Sequence, residues 1–483
     1  MKGERLHMNK IKIGWAEADI TPENKVELYG QYYRRVSKGI HSRLGGSVLA
    51  LESDSGEQAI MISVDLANFP REFLNELRDK LRDKLPDIDA SKIIMNAIHT
   101  HSAPAVAFVR DWWTPDTETM SSKDYRVFVI QRLTDAAIKA WNSKSYGGFA
   151  NSFDFAAVGH CRRAVYTNGI AEMYGDTSRD DFIGMEGNED STVEILFTFS
   201  EDEKPTGAVV NVACPSQVME ATYLISSDFM GEVRRLLKGK FGSDFCTLCQ
   251  ISSAGDQSPR DLARTRDDEF WCERGVKVIG KRIYEAVISA YEKQKNKGQF
   301  ETKFVHNVKE ITLPKRKASY QEYIEALENI EKLEEILPTE AAFKAFSAEV
   351  KKNEKIHGRQ GPYDSKLHHF VLIRNNEAVV KRYKEQKDEP NFFMELHTIR
   401  LGGVVFVTNP FELFLDFGLQ MKARSKAEQT FVVQLSCGSV RYLPTERAEA
   451  YGGFGGLIIN GVVGSDGGKK LVDETVAEIN RIF

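Results

Sequence analysis

Short apolar runs alternate with amphipathic stretches along most of the chain. The segments Ser47–Leu51, Glu57–Asp65, Lys92–Ile98, Gly147–Val158, Val193–Phe199, Gly207–Val212, Phe245–Ile251, Phe392–Arg400, Gly403–Thr408 and Thr430–Leu435 are rich in Ile, Val, Leu and Phe and read as strands. Between them, Arg71–Leu85, Asp124–Trp141, Glu232–Lys238, Val276–Tyr291, Leu413–Lys426 and Gly467–Ile482 read as helices. Phe73, Leu74, Leu77 and Leu81 show the helical spacing well, and Pro86 then stops the helix. The pattern predicts an α/β fold, mixed α+β sheets flanked by helices, in a single domain over residues 9–483. Residues 316–389 break the rhythm: Tyr320, Tyr323, Ile324, Leu327, Ile330, Leu333 and Leu337 recur at helical spacing among many Glu and Lys. This stretch reads as a helical insertion, either a lid or a dimerisation arm; a plain solvated helical hairpin is the simpler reading.

At 483 residues the chain exceeds the roughly 250–300 residues at which single cores stop growing. Its 42% hydrophobic content is ample for a packed interior. A net charge of −5 gives no electrostatic footprint for nucleic acid or for stable association with an anionic membrane. No apolar run reaches the roughly 20 residues that span a bilayer, and the first residues lack an apolar signal core. The expected location is therefore cytoplasmic. Six cysteines in so long a chain do not form a dense disulfide framework and read as free thiols. Cys246 and Cys249 alternate across one strand and read as core.

Chemistry-bearing residues gather where apolar runs end. Ile93-Ile94-Met95 leads into His99-Thr100-His101-Ser102-Ala103-Pro104. Imidazole is the commonest metal ligand and the usual acid/base near neutral pH. A bare His-x-His is weak on its own, but other strands end similarly, in Cys214-Pro215, in Asn409-Pro410-Phe411-Glu412 and near Tyr442. Nitrogen, sulfur and oxygen donors together suit zinc. Asp228 opens a helix as an N-cap or a site carboxylate. Gly255-Asp256-Gln257-Ser258-Pro259 follows a strand with the small residues that allow close approach to a ligand. Arg162 and Arg163 are either a surface pair or a bidentate anion site. Tyr451 lies in a Gly-rich stretch, Glu446–Gly456, that reads as a pocket-shaping loop. Tyr32-Tyr33, Trp112-Trp113 and Phe270-Trp271 are further pocket-shaping candidates.

Taken together, these motifs resemble the catalytic domain of the neutral/alkaline ceramidase family. The resemblance rests on Ala18-Asp19-Ile20-Thr21-Pro22, Gly39-Ile40-His41, His99-Thr100-His101-Ser102-Ala103-Pro104, Ile225-Ser226-Ser227-Asp228, Gly255-Asp256-Gln257-Ser258-Pro259, Asn409-Pro410-Phe411-Glu412 and Tyr442-Leu443-Pro444-Thr445, which keep the family's order over nearly the whole chain. It implies a ceramidase-like fold and a catalytic Zn2+ with His99, Glu412 and Tyr442 as ligands. It places His101 beside the reacting atoms, Ser258 in the family's Gly-Asp-x-Ser-Pro motif, and a substrate-contacting arginine at Arg162. Cys214 stands where the family has its second zinc histidine, which implies a His99/Cys214/Glu412/Tyr442 metal set. The family's secretion features and its C-terminal β-sandwich are not found in this chain, so ceramide is a doubtful substrate.

The reading that follows is a zinc-dependent hydrolase cleaving an amide or ester in a soluble, polar small molecule. His101 shuttles the proton, Tyr442 or Ser258 holds the oxyanion with Asp256 nearby, and Arg162, Arg163, Asp228 and Tyr451 contact substrate. A metal-dependent lyase or isomerase acting on a sugar or cyclitol derivative is the alternative, and a non-enzymatic metal-binding scaffold stands third. Homo-oligomerisation is left open.

Overall fold

A computed structural model of the chain describes residues 9–31, 34–107, 118–264, 270–357 and 368–483. Two sheets form its centre. The larger contains β1 (Asn9–Asp19), β2 (Gly45–Ser53), β3 (Gln58–Val64), β4 (Ile93–Ala97), β5 (Ser145–Phe155), β6 (Thr192–Ser200), β7 (Pro205–Val212) and β8 (Cys246–Ile251), in spatial order β8-β7-β6-β5-β1-β2-β3-β4. A short strand, Glu301–Thr302, adds to the edge of β1. The second sheet runs β9 (Phe304–Pro314), β10 (Asn391–Leu401), β11 (Val404–Thr408) and β12 (Gln429–Val433) in chain order. Helices α1 (Arg71–Lys84), α2 (Ser122–Asn142), α3 (Asp228–Phe241) and α4 (Glu273–Gln294) flank the first sheet. The expected mixed α/β architecture is the one observed.

The topology carries a repeat with no counterpart in residue identity. An antiparallel pair, a helix and a parallel third strand recur as β2-β3-α1-β4 and β6-β7-α3-β8. They recur again as β10-β11-α8-β12, with α8 spanning Leu415–Arg424. Parallel neighbours need a long crossover, and the amphipathic helix supplies it while covering the sheet. The three units meet at the far ends of their parallel strands. The Ala97 N–H donates to Leu435 O at 3.2 Å and the Gln434 N–H to Ile251 O at 3.0 Å. Buried amides stitch the same junction: Asn96 donates to Cys249 O at 3.1 Å and Asn211 to Val432 O at 2.9 Å. Ligands of α/β proteins bind where such strand ends leave a crevice.

Residues 316–389 leave and re-enter the second sheet at one point, because Pro314 and Asn391 are opposite in the β9–β10 register. Between them lie α5 (Tyr320–Ile336), α6 (Thr339–His357) and α7 (His369–Glu385). Ser319 and Glu322 close a capping box on α5. These helices bury a small core of their own from Ala342, Phe346, Phe370, Val371 and Ile373. The rings of Tyr323 and Tyr383 stack 4.4 Å apart. Arg382 ties α7 to Arg316 O and Gly461 O at 3.1 and 3.0 Å. Gly358-Arg359-Gln360-Gly361-Pro362, which the sequence's glycines and proline mark as a loop, lies outside the described residues.

Candidate active site at the strand ends

His99 follows β4 with φ 62°, a left-handed backbone that only local packing sustains in a non-glycine residue. Its Nδ1–H donates to Ala67 O at 2.6 Å, which turns Nε2 toward the centre of the site. That nitrogen faces Glu412 Oε2 at 3.4 Å and His101 Nε2 at 3.3 Å. Glu412 sits opposite Tyr442 in a short parallel pair, Glu412–Leu413 with Tyr442–Leu443. Burial pushes the Glu412 carboxyl up. The charges of His99 and Arg162, with hydrogen bonds from His99 and Tyr442, outweigh it and hold the pKa at about 2. Burial, reinforced by Glu412, pushes the Tyr442 hydroxyl well above its ordinary range, so it stays a donor to that carboxylate. Gly255 is needed behind this pair: a Cβ there would lie 2.3 Å from Glu412 O.

His101 is set by residues that the motif reading did not single out. Its Nδ1 lies 3.2 Å from Glu220 Oε2, and the Gln217 amide donates to its Nε2 at 2.8 Å. Burial lowers its pKa while Glu220 pulls it back, and the net direction is down, so the ring is neutral at pH 7. The Arg35 guanidinium, fully buried, donates to the backbone carbonyls of His101, Tyr29 and Thr222. Gly30, at φ 109°, packs directly on the His101 ring. Arg35 and Gly30 stand in the Gly-, Arg- and Tyr-rich stretch that reads as a loop. Gln217 and Glu220 follow the Cys-Pro strand end. Only tertiary pairing marks any of them.

Arg162 joins the site. It donates to Gly255 O at 2.7 Å, to the Tyr442 hydroxyl at 3.2 Å and to the Tyr174 hydroxyl at 3.3 Å, and its buried Nε has no hydrogen-bond partner. Arg163 is placed differently. It is 1% exposed, pairs with Glu186 and donates to Phe454 O and Gly452 O at 2.6 Å each. Its donors are spent on the glycine-rich loop, which follows α9 (Glu446–Tyr451) and presses Phe454 onto the Tyr442 ring. Tyr451, half-buried, ends that helix.

Asp228 accepts the Met219 N–H at 2.7 Å and so fixes the turn bearing Gln217 and Glu220; burial raises its carboxyl to about 6. Asp256 accepts the Leu415 N–H at 2.9 Å, and burial likewise raises it to about 6. Ser258 pairs with His160 across two short strands, and its Oγ accepts the Arg260 N–H at 3.1 Å. No hydrogen bond among the described residues joins Ser258 to His99, His101, Glu412 or Tyr442. Cys214 lies in an apolar cluster with its thiol donating to Val158 O at 3.3 Å. Burial, then the Asp228 charge, pushes the thiol well above its ordinary range. The expected ligand is thus a protonated core thiol here, because its surroundings offer a carbonyl acceptor and hydrocarbon. Trp271 is buried under Arg260, whereas Tyr32-Tyr33 and Trp112-Trp113 lie outside the described residues.

Do these residues fit a metal? His99 Nε2 and the Glu412 carboxylate, 3.4 Å apart, need a proton or a cation between them. With that proton lost, the nitrogen–oxygen donor pair is one that suits zinc. No disulfide forms among the described residues. Among the described residues no helix is long and apolar enough to cross a membrane.

No protein-family profile matches the sequence, and no curated protein matches it. Solved structures do, among them a crystal structure of neutral ceramidase from Pseudomonas aeruginosa and a ceramidase complexed with C2. Each superposes with a TM-score of 0.66 at 14% identity over 98% of this chain, covering 75% and 76% of theirs. At that identity the likeness shows a shared ceramidase-like fold.

Proposed function

We propose that this protein is a zinc-dependent hydrolase that cleaves an amide or ester bond in a polar small molecule in the cytoplasm. The observation that carries the reading is His99 Nε2, oriented by the Nδ1–H bond to Ala67 O and facing the Glu412 carboxylate at 3.4 Å. His99, Glu412 and the Tyr442 hydroxyl would hold the metal. When bound, it supplies Lewis-acid polarisation of the scissile carbonyl and acidifies the attacking water. His101, neutral, would carry a proton between the attacking water and the leaving nitrogen or oxygen once the Gln217 amide gives up its Nε2. Arg162, whose buried Nε has no hydrogen-bond partner among the described residues, donates to the oxygen that gains charge. Asp228 and Glu220 orient His101. The helices of 316–389 act as a cover: α7 packs on the turn Ile458–Asn460, next to the glycine-rich loop that holds Tyr442. The ceramidase-like fold supports a hydrolase.

The test is metal content by mass spectrometry together with turnover of activated ester and anilide probes, for wild type, His99→Ala and Glu412→Gln. Loss of both zinc and turnover in each variant is expected. Incorporation of heavy oxygen from solvent into the product marks hydrolysis, whereas its absence would assign a lyase. Full turnover in folded His99→Ala overturns the reading.

A further inference from the structure

We infer a second metal site, formed by Glu395, His397 and Cys437, which takes a zinc-class ion and clamps the second sheet to the first. Among the described residues this is the one group of three His, Cys, Asp or Glu side chains whose ligand atoms all lie within 4.8 Å of one another. Glu395 and His397 project from the same face of β10, two residues apart. Cys437 comes from the loop after β12, and its N–H donates to Met95 O on β4 at 2.9 Å. The group therefore bridges the two sheets. It shares no residue with the His99 centre.

The hydrogen-bond chain behind His397 fixes which nitrogen is available. The Nδ1–H of His306 donates to Gln58 O at 2.9 Å, since a carbonyl can only accept. A neutral His306 then accepts at Nε2, 3.0 Å from His397 Nδ1, so His397 donates there. Its other nitrogen, Nε2, points at Glu395 Oε2 at 3.3 Å. Only a proton or a cation can occupy that position. A metal-ligating histidine that donates its second N–H onward is the usual support of a zinc ligand. Here the support runs through His306 to the backbone of β3.

The donor set decides the metal class. One imidazole, one thiolate and one carboxylate suit zinc; a thiolate disfavours magnesium and calcium. Arg78 and Arg71 also hold Glu395, with nearest contacts of 2.9 and 2.6 Å. They keep the carboxylate anionic and balance the charge of two anionic ligands, and the metal must share that carboxylate with them. Binding would release the Cys437 proton and any proton on His397 Nε2.

Cobalt(II) is the probe, because a cobalt–thiolate bond gives an intense near-ultraviolet charge-transfer band that nitrogen and oxygen ligands do not. Metal-stripped full-length protein is titrated with cobalt(II), with stoichiometry read by mass spectrometry. Wild type should develop the band, Cys214→Ser should keep it, and Cys437→Ser should lose it while retaining the cobalt bound at His99. His306→Gln should weaken the band-forming site by about 10- to 100-fold. No band in wild type at saturation, a band that survives Cys437→Ser, or one lost in Cys214→Ser overturns the proposal. Should Cys437→Ser fail to fold, anomalous diffraction from cobalt-soaked wild-type crystals decides: a peak among Glu395, His397 and Cys437 supports the site, and its absence overturns it.

Discussion

A single methyl group at residue 30 is expected to disable His101 without touching a metal ligand. Gly30 has φ 109°, and a Cβ there would lie 2.4 Å from His101 Cγ and 2.7 Å from Nδ1. Ordinary contact starts at 3.4 Å, so the ring has to retreat by about 1 Å. The backbone cannot retreat with it, because Arg35 pins the His101 carbonyl. The ring must swing, which breaks its alignment with Gln217 and Glu220. Placing alanine at this φ costs on the order of 1–3 kcal/mol. A displacement of this size in a proton-transfer group costs about 100-fold in rate. Gly30→Ala should therefore lose about 100-fold in kcat/KM on the ester probe, with a drop of about 1–3 kcal/mol in urea stability and unchanged zinc at the proposed His99 centre. Wild-type kcat/KM in a folded variant would refute the role given to His101, and loss of zinc would refute the separation of ring and metal.

Asp228 and Asp256 sit near pKa 6 against an ordinary 3.8. The folded state thus takes up protons before the unfolded one does, and each group adds about 1 kcal/mol of stability as pH falls from 7 to 5. The lowered pKa values of His101 and His306 oppose this over the same range, so the contribution is read as a difference: the stability of wild type relative to Asp228→Asn, from urea midpoints, should grow by about 1 kcal/mol from pH 7 to pH 5. Arg163→Met leaves Glu186 buried and unpaired, at a cost of about 3–5 kcal/mol. The double variant Arg163→Met/Glu186→Leu should recover most of it in a double-mutant cycle, and no recovery would mean that loop anchoring dominates. Replacing residues 316–389 by a short turn should leave a protein that unfolds cooperatively and keeps zinc, because Pro314 and Asn391 are already neighbours. A broadened substrate range would mark the helices as a cover, and an aggregated product would show that they are part of the core.

Which strands and helices exist was legible because each carries its own periodicity. Their ends were less so. α3 starts at Asp228 rather than Glu232, since its first turn is fixed by contacts from Met219 and Ser226 that lie outside the helix. Strand order was not legible, because pairing joins segments such as β1 and β5 that are far apart in sequence. The threefold recurrence was hidden for a related reason: its units share only the order of pairing. At the site, polar residues at strand ends led to His99, His101, Glu412, Tyr442 and Arg162. Arg35, Gln217, Glu220 and Tyr174 act through tertiary contacts and give no local signal. Glu395 and His397 did carry one, two chemistry-bearing residues on one face of an apolar strand, and it was overlooked in favour of strand ends.

Cys214 tests how far position alone predicts chemistry. It ends β7 as Glu412 follows β11, the equivalent strand of another unit, so topology offers it to the same crevice. Its immediate surroundings decide otherwise. The thiol donates to Val158 O, sits among hydrocarbon and is pushed toward its protonated form by burial. To ligate a metal it must lose that proton, abandon the carbonyl and turn out of the cluster, leaving Val158 O unpaired at about 1–3 kcal/mol. In the proposed centre Glu412 would already supply the anionic ligand. Zinc titrations in a Cys437→Ser background should therefore give the same affinity, within about threefold, for Cys214 and Cys214→Ser proteins. Proton release per zinc should also be equal in the two, because no thiol ionises at this centre. Weaker binding by tenfold or more, with about one fewer proton released, would show that strand topology outweighs the local environment and that the thiol leaves the core to complete the metal site.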